Sequence, residues 1–246
     1  MFSFGKNQLF IVTGASSGIG EAVALLLNET GASVVAVARD YPRLGAMKEK
    51  ATRPENIHLE QKDLTEDIET LPQFVKALKE KYGKFQGLVF CAGIAEIKPL
   101  SASSYMDLRN IFAINYFAPI LMLKGFLDRR LNVGRGAAAV MLSSTAAVQS
   151  DRGHTAYSGT KAALSASCVC IAKEVAPAGM RVNCLLPSDI VTPMTEAMAS
   201  FRDDPGYKYP MGVGEASDVA NMAVFLLSDK AKWITGQNYI IDCASI

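Results

Sequence analysis

The feature that most constrains the fold is the regular alternation of short, almost wholly apolar runs with longer amphipathic segments. Seven apolar runs are typical of strands, at residues 9–12, 33–38, 57–61, 87–90, 137–142, 181–186 and 239–241. Because these runs are apolar at nearly every position, they predict a parallel sheet that is buried on both faces. The intervening segments predict helices at residues 21–29, 71–82, 106–129, 156–175 and 217–227.

This alternation predicts the α/β class, with one doubly wound (Rossmann) parallel sheet of about seven strands and helices on both faces. The 246 residues contain no internal repeat, low-complexity tract or linker, so we expect a single domain over residues 1–246. In such a fold, ligands bind at the carboxyl ends of the strands. The segments that follow the predicted strands are therefore the first place to search for a functional site.

Charge and composition exclude several kinds of partner. The chain has 25 Lys and Arg residues against 24 Asp and Glu residues and no basic cluster, so we expect neither nucleic acid nor a membrane surface as a partner. The longest apolar stretch, residues 111–123, is interrupted by Asn115 and Pro119 and is too short to span a bilayer. The five cysteines lack metal-ligand spacing, and the first residues lack a signal-peptide pattern. We therefore expect reduced thiols, no metal site and a cytoplasmic protein.

A glycine-rich segment, TGASSGIG at residues 13–20, follows the first predicted strand and opens the first predicted helix. Glycines allow the backbone to approach a ligand closely, and a helix N-terminus offers unpaired N–H groups to a phosphate. The segment predicts a nucleotide-phosphate site formed by Gly14, Ser16, Ser17, Gly18, Ile19 and Gly20. Its spacing differs from the common motif G-x-G-x-x-G, so on its own an ordinary strand-to-helix turn remains the alternative.

A tyrosine and a lysine four residues apart, Tyr157 and Lys161, lie in the predicted helix 156–175. This spacing puts both side chains on one face of the helix, where the ammonium would lower the pKa of the phenol. Ser144 stands thirteen residues before Tyr157, just after a predicted strand. Its neighbour Ser143 is the alternative, and the spacing to Tyr157 favours Ser144. These side chains predict a site of proton transfer.

Together these motifs resemble the short-chain dehydrogenase/reductase family, in its short single-domain branch, over nearly the whole chain. Residues 13–20 are similar to the TGxxxGxG loop of the family, residues 91–93 to the end of its NNAG element, and residues 187–192 to its PGxIxT segment. Ser144, Tyr157 and Lys161 stand in the catalytic positions, and Asn115 stands where the family has a helix asparagine. The chain departs from the pattern at Phe90-Cys91, at Ser188 and at Cys243-Ala244.

The resemblance implies an NAD(P)-dependent oxidoreductase that transfers hydride between a nicotinamide and a carbonyl or alcohol substrate. It implies that Tyr157 is the general acid, that Ser144 binds the same substrate oxygen, and that Lys161 holds the nicotinamide ribose and lowers the pKa of the tyrosine. It implies that Asn115 positions a water behind Lys161. Further cofactor contacts implied by the resemblance are Asp63, Leu64, Ala92, Gly93, Pro187, Ile190 and Thr192.

The end of the second predicted strand bears on the choice of dinucleotide. Relatives that prefer NAD place an acid where this chain has Ala38, and the next residue is Arg39, whose guanidinium suits a 2′-phosphate. Asp40 lies at about the interval expected of a ribose-binding acid, but we expect it beyond the strand and in solvent. We therefore predict that NADP is favoured over NAD.

The leading hypothesis is an NADPH-dependent reductase of a 3-oxoacyl thioester, a small ketone or a sugar. A catalytically silent dinucleotide sensor or scaffold is the alternative. Residues 192–214 lack a clear period, and the resemblance implies that they form the substrate loop. It also implies that the helices at 106–129 and 156–175 pair between subunits of a homodimer or homotetramer.

Overall fold

A seven-stranded parallel sheet forms the centre of the protein. The computed structural model describes residues 3–5, 7–196 and 209–246. The strands of the sheet are β1 (Leu9–Thr13), β2 (Ser33–Ala38), β3 (Ile57–Gln61), β4 (Phe85–Phe90), β5 (Ala138–Leu142), β6 (Arg181–Pro187) and β9 (Asn238–Ile241). They lie in the order β3-β2-β1-β4-β5-β6-β9. The doubly wound sheet predicted from the sequence is thus confirmed.

Helices cover both faces of this sheet. They are α1 (Gly18–Glu29), α2 (Tyr41–Glu49), α3 (Leu71–Tyr82), α4 (Tyr105–Phe112), α5 (Ala118–Phe126), α6 (Thr155–Val175), α7 (Pro193–Glu196) and α8 (Ala216–Leu227). In β1, Phe10 and Val12 enter the core with α1 and α8, whereas Leu9 and Ile11 enter the core with α3, α5 and α6. Because successive side chains of a strand point to opposite faces, only an apolar run fits between two helical layers.

The strand order reverses between β1 and β4, and this reversal determines where the site lies. The crossovers from β1 lead outward through β2 to β3, whereas β4, β5 and β6 follow in the opposite direction. The connections that follow β1 and β4 therefore lead to opposite sides and leave a crevice at the carboxyl ends of these two neighbouring strands. This crevice is the expected position of a dinucleotide in a doubly wound sheet.

The helix predicted at 106–129 differs most from the prediction. Helix α4 ends at Phe112, a π-helical turn covers Ala113–Phe117, and α5 ends at Phe126. Pro119 has no N–H, so the carbonyl of Asn115, four residues earlier, lacks its normal α-helical donor. A turn with one additional residue accommodates this lost bond, as the Ala118 N–H bonds to the Ala113 carbonyl instead. The prediction of one regular helix was therefore wrong at its centre.

The predicted loop at 192–214 begins and ends at a second, two-stranded parallel sheet. Strands β7 (Ile190–Val191) and β8 (Gly214–Glu215) pair there, and α7 follows β7 directly. Residues 197–208 of the predicted loop lie outside the described residues. This small sheet and α2 did not follow from the apolar pattern, because two-residue strands and a helix with few buried residues have almost no period to detect.

Within the described residues, no helix is both long enough and apolar enough to cross a membrane. In the same part of the chain, no three His, Cys, Asp or Glu side chains are grouped so that they could hold a metal ion.

Close packing of α3 against α5 leads to a stability prediction. A Cβ on Gly125 would lie 2.9 Å from the Pro72 Cα and 3.0 Å from the Val75 Cβ, so Gly125→Ala forces two backbones apart. We expect a net loss of about 1–2 kcal/mol in the free energy of unfolding, because overpacking outweighs the gain in helix propensity. Gly45→Ala in α2 is the matched control, since nothing lies within 4 Å of its added Cβ.

Urea unfolding of the two variants measures this difference. Gly45→Ala should raise the free energy of unfolding by about 0.5–1 kcal/mol, because alanine loses less backbone entropy than glycine. If Gly125→Ala stabilises the protein as much as Gly45→Ala does, the described contact between α3 and α5 is wrong.

Candidate active site

A cleft of about 860 Å³ runs along the carboxyl ends of β1, β2, β4, β5 and β6. It brings together almost every residue that the sequence predicted for the site. The predicted residues that line it are Gly14, Ser16, Ser17, Gly18, Ile19, Gly20, Arg39, Asp63, Leu64, Ala92, Gly93, Ser144, Tyr157, Lys161, Pro187, Ile190 and Thr192. Of the predicted residues, Asn115 alone does not line the cleft and lies buried behind it.

The glycine segment forms the turn between β1 and α1. Gly14 and Gly18 have φ angles of 65° and 55°, a left-handed conformation that is costly for residues with a Cβ. A Cβ on Gly20 would lie 2.2 Å from the Gly14 carbonyl oxygen, so only glycine allows the helix to begin this close to the strand. Ser17 caps α1 without bonding its first N–H groups through the side chain. These N–H groups remain available to an anion in the cleft.

Thr13 links this turn to the loop after β4. Its Oγ1 accepts hydrogen bonds from the Cys91 N–H at 3.2 Å and the Ala92 N–H at 3.3 Å. A Cβ on Gly14 would lie 2.8 Å from the Ala92 nitrogen, so the two loops are in direct contact. Thr13 is fully buried and holds the two loops together, a role that the sequence did not predict.

Ser144 and Tyr157 both line the cleft, and Ser144 is near enough to Tyr157 to affect its pKa. Ser144 follows β5 and caps a short 3₁₀ turn, where its Oγ accepts a bond from the Ala146 N–H at 3.2 Å. The alternative, Ser143, is buried, and its Oγ donates to the Lys161 carbonyl at 2.8 Å. Because the Ser143 hydroxyl is bonded within the protein, Ser144 is the better placed of the two to meet a ligand together with Tyr157.

Lys161 is buried, and its Nζ donates to the Leu142 carbonyl at 2.8 Å. Burial lowers the pKa of Lys161 to about 8, although the neighbouring Cys184 and Cys91 thiols act in the opposite direction. The Nζ lies 5.6 Å from the centre of the Tyr157 ring. It is therefore beside the ring and not bonded to the phenol oxygen.

The pKa of Tyr157 differs from the expectation. Burial raises it, the hydrogen bond to Ser144 lowers it in part, and the nearby Asp189 carboxylate raises it further. The prediction that Lys161 lowers the pKa of this tyrosine is therefore wrong for this arrangement. Removal from water is the largest effect on this pKa, and Lys161 is not among the groups that shift it. At neutral pH Tyr157 is a protonated phenol, which is the form that can donate a proton.

Asn115 holds the loop after β4 from behind. Its Oδ1 accepts a bond from the Ile94 N–H at 2.9 Å, and its Nδ2 donates to the Ile94 carbonyl at 2.8 Å and to the Thr160 Oγ1 at 3.3 Å. A Cβ on Gly93 would lie 2.9 Å from the Asn115 Oδ1, so a side chain at position 93 would crowd the Asn115 amide. The side-chain amide is thus fully used within the protein.

The opposite end of the cleft, beyond β2 and β3, is rich in cations. Arg39 lies 3.6 Å from the Asp63 carboxylate, and its side chain is 70% exposed. Burial alone would raise the pKa of Asp63, but hydrogen bonds from Thr65 and the charge of Arg39 lower it overall. Asp40 is exposed, as expected, and caps α2 by accepting a bond from the Arg43 N–H at 3.0 Å.

At the other end of the cleft, the segment after β6 bends around Thr192. Its side chain would be 3.0 Å from a Cβ on Gly18, so it packs directly against the glycine turn. The Thr195 Oγ1 donates to the Ile190 carbonyl at 2.5 Å and accepts from the Thr192 N–H at 3.0 Å.

The structure also describes the residues at which the sequence departs from the family pattern. Ser188 donates its N–H to the Ile241 carbonyl, and Cys243 and Ala244 adopt positive φ angles of 55° and 58°.

Comparison with known proteins agrees with this geometry. A protein-family model described as enoyl-(acyl carrier protein) reductase matches residues 14–243. The chain is 30% identical to the L-xylulose reductase of Caenorhabditis elegans, over 96% of this chain and 94% of that protein. The chain belongs to the short-chain dehydrogenase/reductase family.

Two further proteins illustrate how closely this member follows the family. The 3-oxoacyl-[acyl-carrier-protein] reductase FabG of Thermotoga maritima is 29% identical, with 96% of this chain and 97% of that protein covered. A solved structure from Brucella melitensis, a short-chain dehydrogenase/reductase described as a glucose/ribitol dehydrogenase, matches with a TM-score of 0.92 at 28% identity. That match covers 100% of this chain and 99% of the other. The family is one of oxidoreductases.

This family member also uses residues that the sequence analysis did not select. Arg43 and Lys62 add two cations to the outer end of the cleft, and Arg109, Ile114 and Phe117 form its wall on the side of α4. Asp40 after a strand is a favoured N-cap residue, so a helix containing Arg43 could have been expected there. No comparable signal existed for Arg109 of α4 or for Ile114 and Phe117, which lie in the π-helical turn itself.

The cleft fits the dinucleotide that the family implies. The glycine turn presents backbone N–H groups without Cβ atoms in the way, which suits a pyrophosphate. Arg39, Arg43 and Lys62 line one end, where an adenosine phosphate would need cations. Ser144, Tyr157 and Lys161 line the other part, where a nicotinamide would meet its substrate.

Burial of Lys161 leads to a prediction about stability and pH. Its pKa falls from 10.5 to about 8 in the folded protein. Between those values the unfolded chain holds a proton that the folded chain has released, so the free energy of unfolding should rise with pH. Lys161→Met should remove this rise.

Urea unfolding of the wild type and the variant across this pH range checks the prediction, because other titrating groups cancel in the difference. Lys173→Met is the matched control, since Lys173 lies on the same helix and is exposed. Lys173→Met should follow the wild type. Parallel curves for the wild type and Lys161→Met would show that Lys161 is not a buried charge.

Proposed function

We propose that the protein is an NADPH-dependent reductase of carbonyl compounds, with residues 1–246 acting as a single catalytic domain. One observation carries the proposal. Ser144 and Tyr157 line the same cleft as Lys161 and the glycine turn, and Ser144 is near enough to affect the pKa of Tyr157. A proton donor, a second donor for the same oxygen and a phosphate-binding turn in one cleft are the parts that carbonyl reduction needs.

The bound nicotinamide would supply the hydride. Tyr157 would donate its phenolic proton to the carbonyl oxygen as that oxygen gains negative charge, and its raised pKa keeps the phenol protonated at neutral pH. Ser144 would donate a hydrogen bond to the same oxygen and stabilise the charge before the proton arrives. In the oxidative direction the same phenol would have to be deprotonated, so this site favours reduction at neutral pH.

Lys161 and Asn115 would support this proton transfer. The Lys161 ammonium, now bonded to the Leu142 carbonyl, would hold the ribose hydroxyls beside the nicotinamide. The side-chain amide of Asn115 is occupied by Ile94 and Thr160, so a water behind Lys161 would bind to the Asn115 carbonyl instead. Pro119 leaves that carbonyl without its α-helical donor, which gives the π-helical turn a reason within the proposed mechanism.

The substrate class proposed is a 3-oxoacyl thioester, a small ketone or a sugar. Two relatives support it, since one is a 3-oxoacyl-[acyl-carrier-protein] reductase and the other an L-xylulose reductase. The substrate loop at 192–214 would cover the carbonyl compound. Its two ends are joined by the β7–β8 pairing, which fixes the base of the loop beside the glycine turn.

A homodimer or homotetramer is part of the proposal. Helix α6 exposes a row of small residues at helical spacing, Gly159, Ala162, Ala166 and Cys170. Helix α4 exposes Tyr105, which is 75% accessible, together with Met106. A second copy of the chain would cover these surfaces, because small residues allow close helix approach and exposed aromatic residues are common at interfaces.

Replacement of the proposed proton donor gives the test of function. Tyr157→Phe should lower kcat for carbonyl reduction by about 10²- to 10⁴-fold, because the reaction loses its acid. Tyr105→Phe is the matched control, since Tyr105 lies at the protein surface and should retain wild-type kcat. NADPH oxidation against a panel of 3-oxoacyl thioesters, ketones and sugars is the measurement.

The outcome also separates the enzyme from a silent dinucleotide sensor. A sensor would bind NADPH and turn over no carbonyl compound of the panel. Turnover that persists in Tyr157→Phe would remove the tyrosine from the mechanism. NADPH affinity should change by less than about threefold in this variant, because the phenol acts in the transition state rather than in ground-state binding.

The side chains at the outer end of the cleft support the proposed preference for NADP. Ala38, where an NAD-preferring relative would have an acid, is an apolar and buried residue. Arg39 follows it, is largely exposed and is held only by a 3.6 Å ion pair to Asp63. Such a guanidinium is free to turn toward a 2′-phosphate, because an exposed ion pair contributes little.

Arg39→Asp should therefore weaken NADPH binding by at least about tenfold and NADH binding far less, since the variant places a carboxylate next to the 2′-phosphate. Dissociation constants from nucleotide fluorescence are the measurement. Unchanged NADPH affinity would contradict the proposed preference.

A further inference from the structure

We propose that Arg43 is a second guanidinium of the 2′-phosphate site, which makes it a specificity-determining residue four positions after Arg39. The inference rests on the proposed use of NADPH. Arg43 lies in the first turn of α2 and lines the cleft together with Arg39 and Lys62.

Asp40 holds Arg43 in place through both of its carboxylate oxygens. One oxygen accepts the Arg43 backbone N–H at 3.0 Å, and the other lies 3.3 Å from the Arg43 Nε. The contact of the ion pair is thus made at the Nε edge of the guanidinium. An arginine bonded at one edge still has its remaining N–H groups for a second anion.

This contact explains the position of Asp40, whose spacing from the glycines is that of a ribose-binding acid. A carboxylate that binds ribose needs an oxygen directed at the hydroxyls. In this protein both oxygens serve the cap and the ion pair of Arg43. Asp40 therefore belongs to the cation side of the site rather than to an NAD-type ribose contact.

The local charge balance agrees with a phosphate ligand. Three cations, Arg39, Arg43 and Lys62, and two carboxylates, Asp40 and Asp63, line this end of the cleft. Both arginine side chains are mainly exposed, at 70% for Arg39 and 63% for Arg43, so neither is committed to the core. A 2′-phosphate would give this net positive group of side chains a strong anionic acceptor. A 2′-hydroxyl would leave the guanidinium N–H groups without one.

The experiment compares binding of NADP⁺, NAD⁺ and adenosine 2′,5′-bisphosphate to the wild type and to Arg43→Gln, Arg43→Lys and Lys48→Gln. Arg43→Gln should raise the Kd of the two ligands that carry a 2′-phosphate by about tenfold and change that of NAD⁺ by less than about twofold. Arg43→Lys should lie between them, because lysine keeps the charge and loses the fork of donors. Lys48→Gln removes one charge from the same helix outside the cleft and should bind like the wild type.

Two further readouts sharpen the result. The dependence of NADP⁺ affinity on salt should become shallower in Arg43→Gln and stay unchanged in Lys48→Gln, since one ionic contact is lost. Asp40→Asn, which keeps a capping side chain, should leave the Kd of NAD⁺ unchanged. A tenfold weaker NAD⁺ complex in that variant would assign Asp40 to the ribose and overturn this account.

Failure of this inference is distinguishable from failure of the proposed cofactor preference. If the wild type binds NADP⁺ no more tightly than NAD⁺, the preference itself is wrong. If the wild type prefers NADP⁺ and Arg39→Asp removes the preference, but Arg43→Gln has no effect or weakens both dinucleotides equally, only the assignment of Arg43 is overturned.

Discussion

Direct contact between the loops that follow β1 and β4 is the constraint on which the rest of the site depends. These strands are neighbours in the sheet, but their crossovers lead in opposite directions. Thr13 joins the loops through two backbone N–H groups, and Gly14 leaves no room for a side chain between them. Every other part of the cleft is arranged around this contact, because it fixes where α1 begins and where the loop after β4 turns.

Burial determines the chemical character of the proposed reaction centre. Removal from water raises the pKa of Tyr157 and lowers the pKa of Lys161 to about 8. Both pKa shifts disfavour the ionised form of the side chain. The site therefore holds a neutral phenol and a lysine that gives up its proton more easily than a free lysine does. One helix, α6, supplies both groups, and the polar contacts of Ser143 and Asn115 hold the backbone around them.

The outer end of the cleft follows a different physical principle. Arg39 and Arg43 are largely exposed, paired loosely with aspartates and able to change partners, as suits recognition of a phosphate in contact with solvent. The proposed cofactor preference therefore depends on charge and donor geometry at Arg39 and Arg43, whereas the proposed reaction depends on desolvation at the other end, around Tyr157.

The sequence by itself predicted the sheet, most helices and about half of the residues that line the cleft. Strands that are apolar on both faces are stable only between two layers of helices. The glycines at 14, 18 and 20 are required by close contacts that a side chain would disturb. The π-helical turn at Ala113–Phe117, the buried hydrogen bond of Ser143 and the raised pKa of Tyr157 were decided only by the tertiary structure. These three features depend on which groups of distant segments meet and on how much water they exclude, and spacing along a chain carries neither quantity.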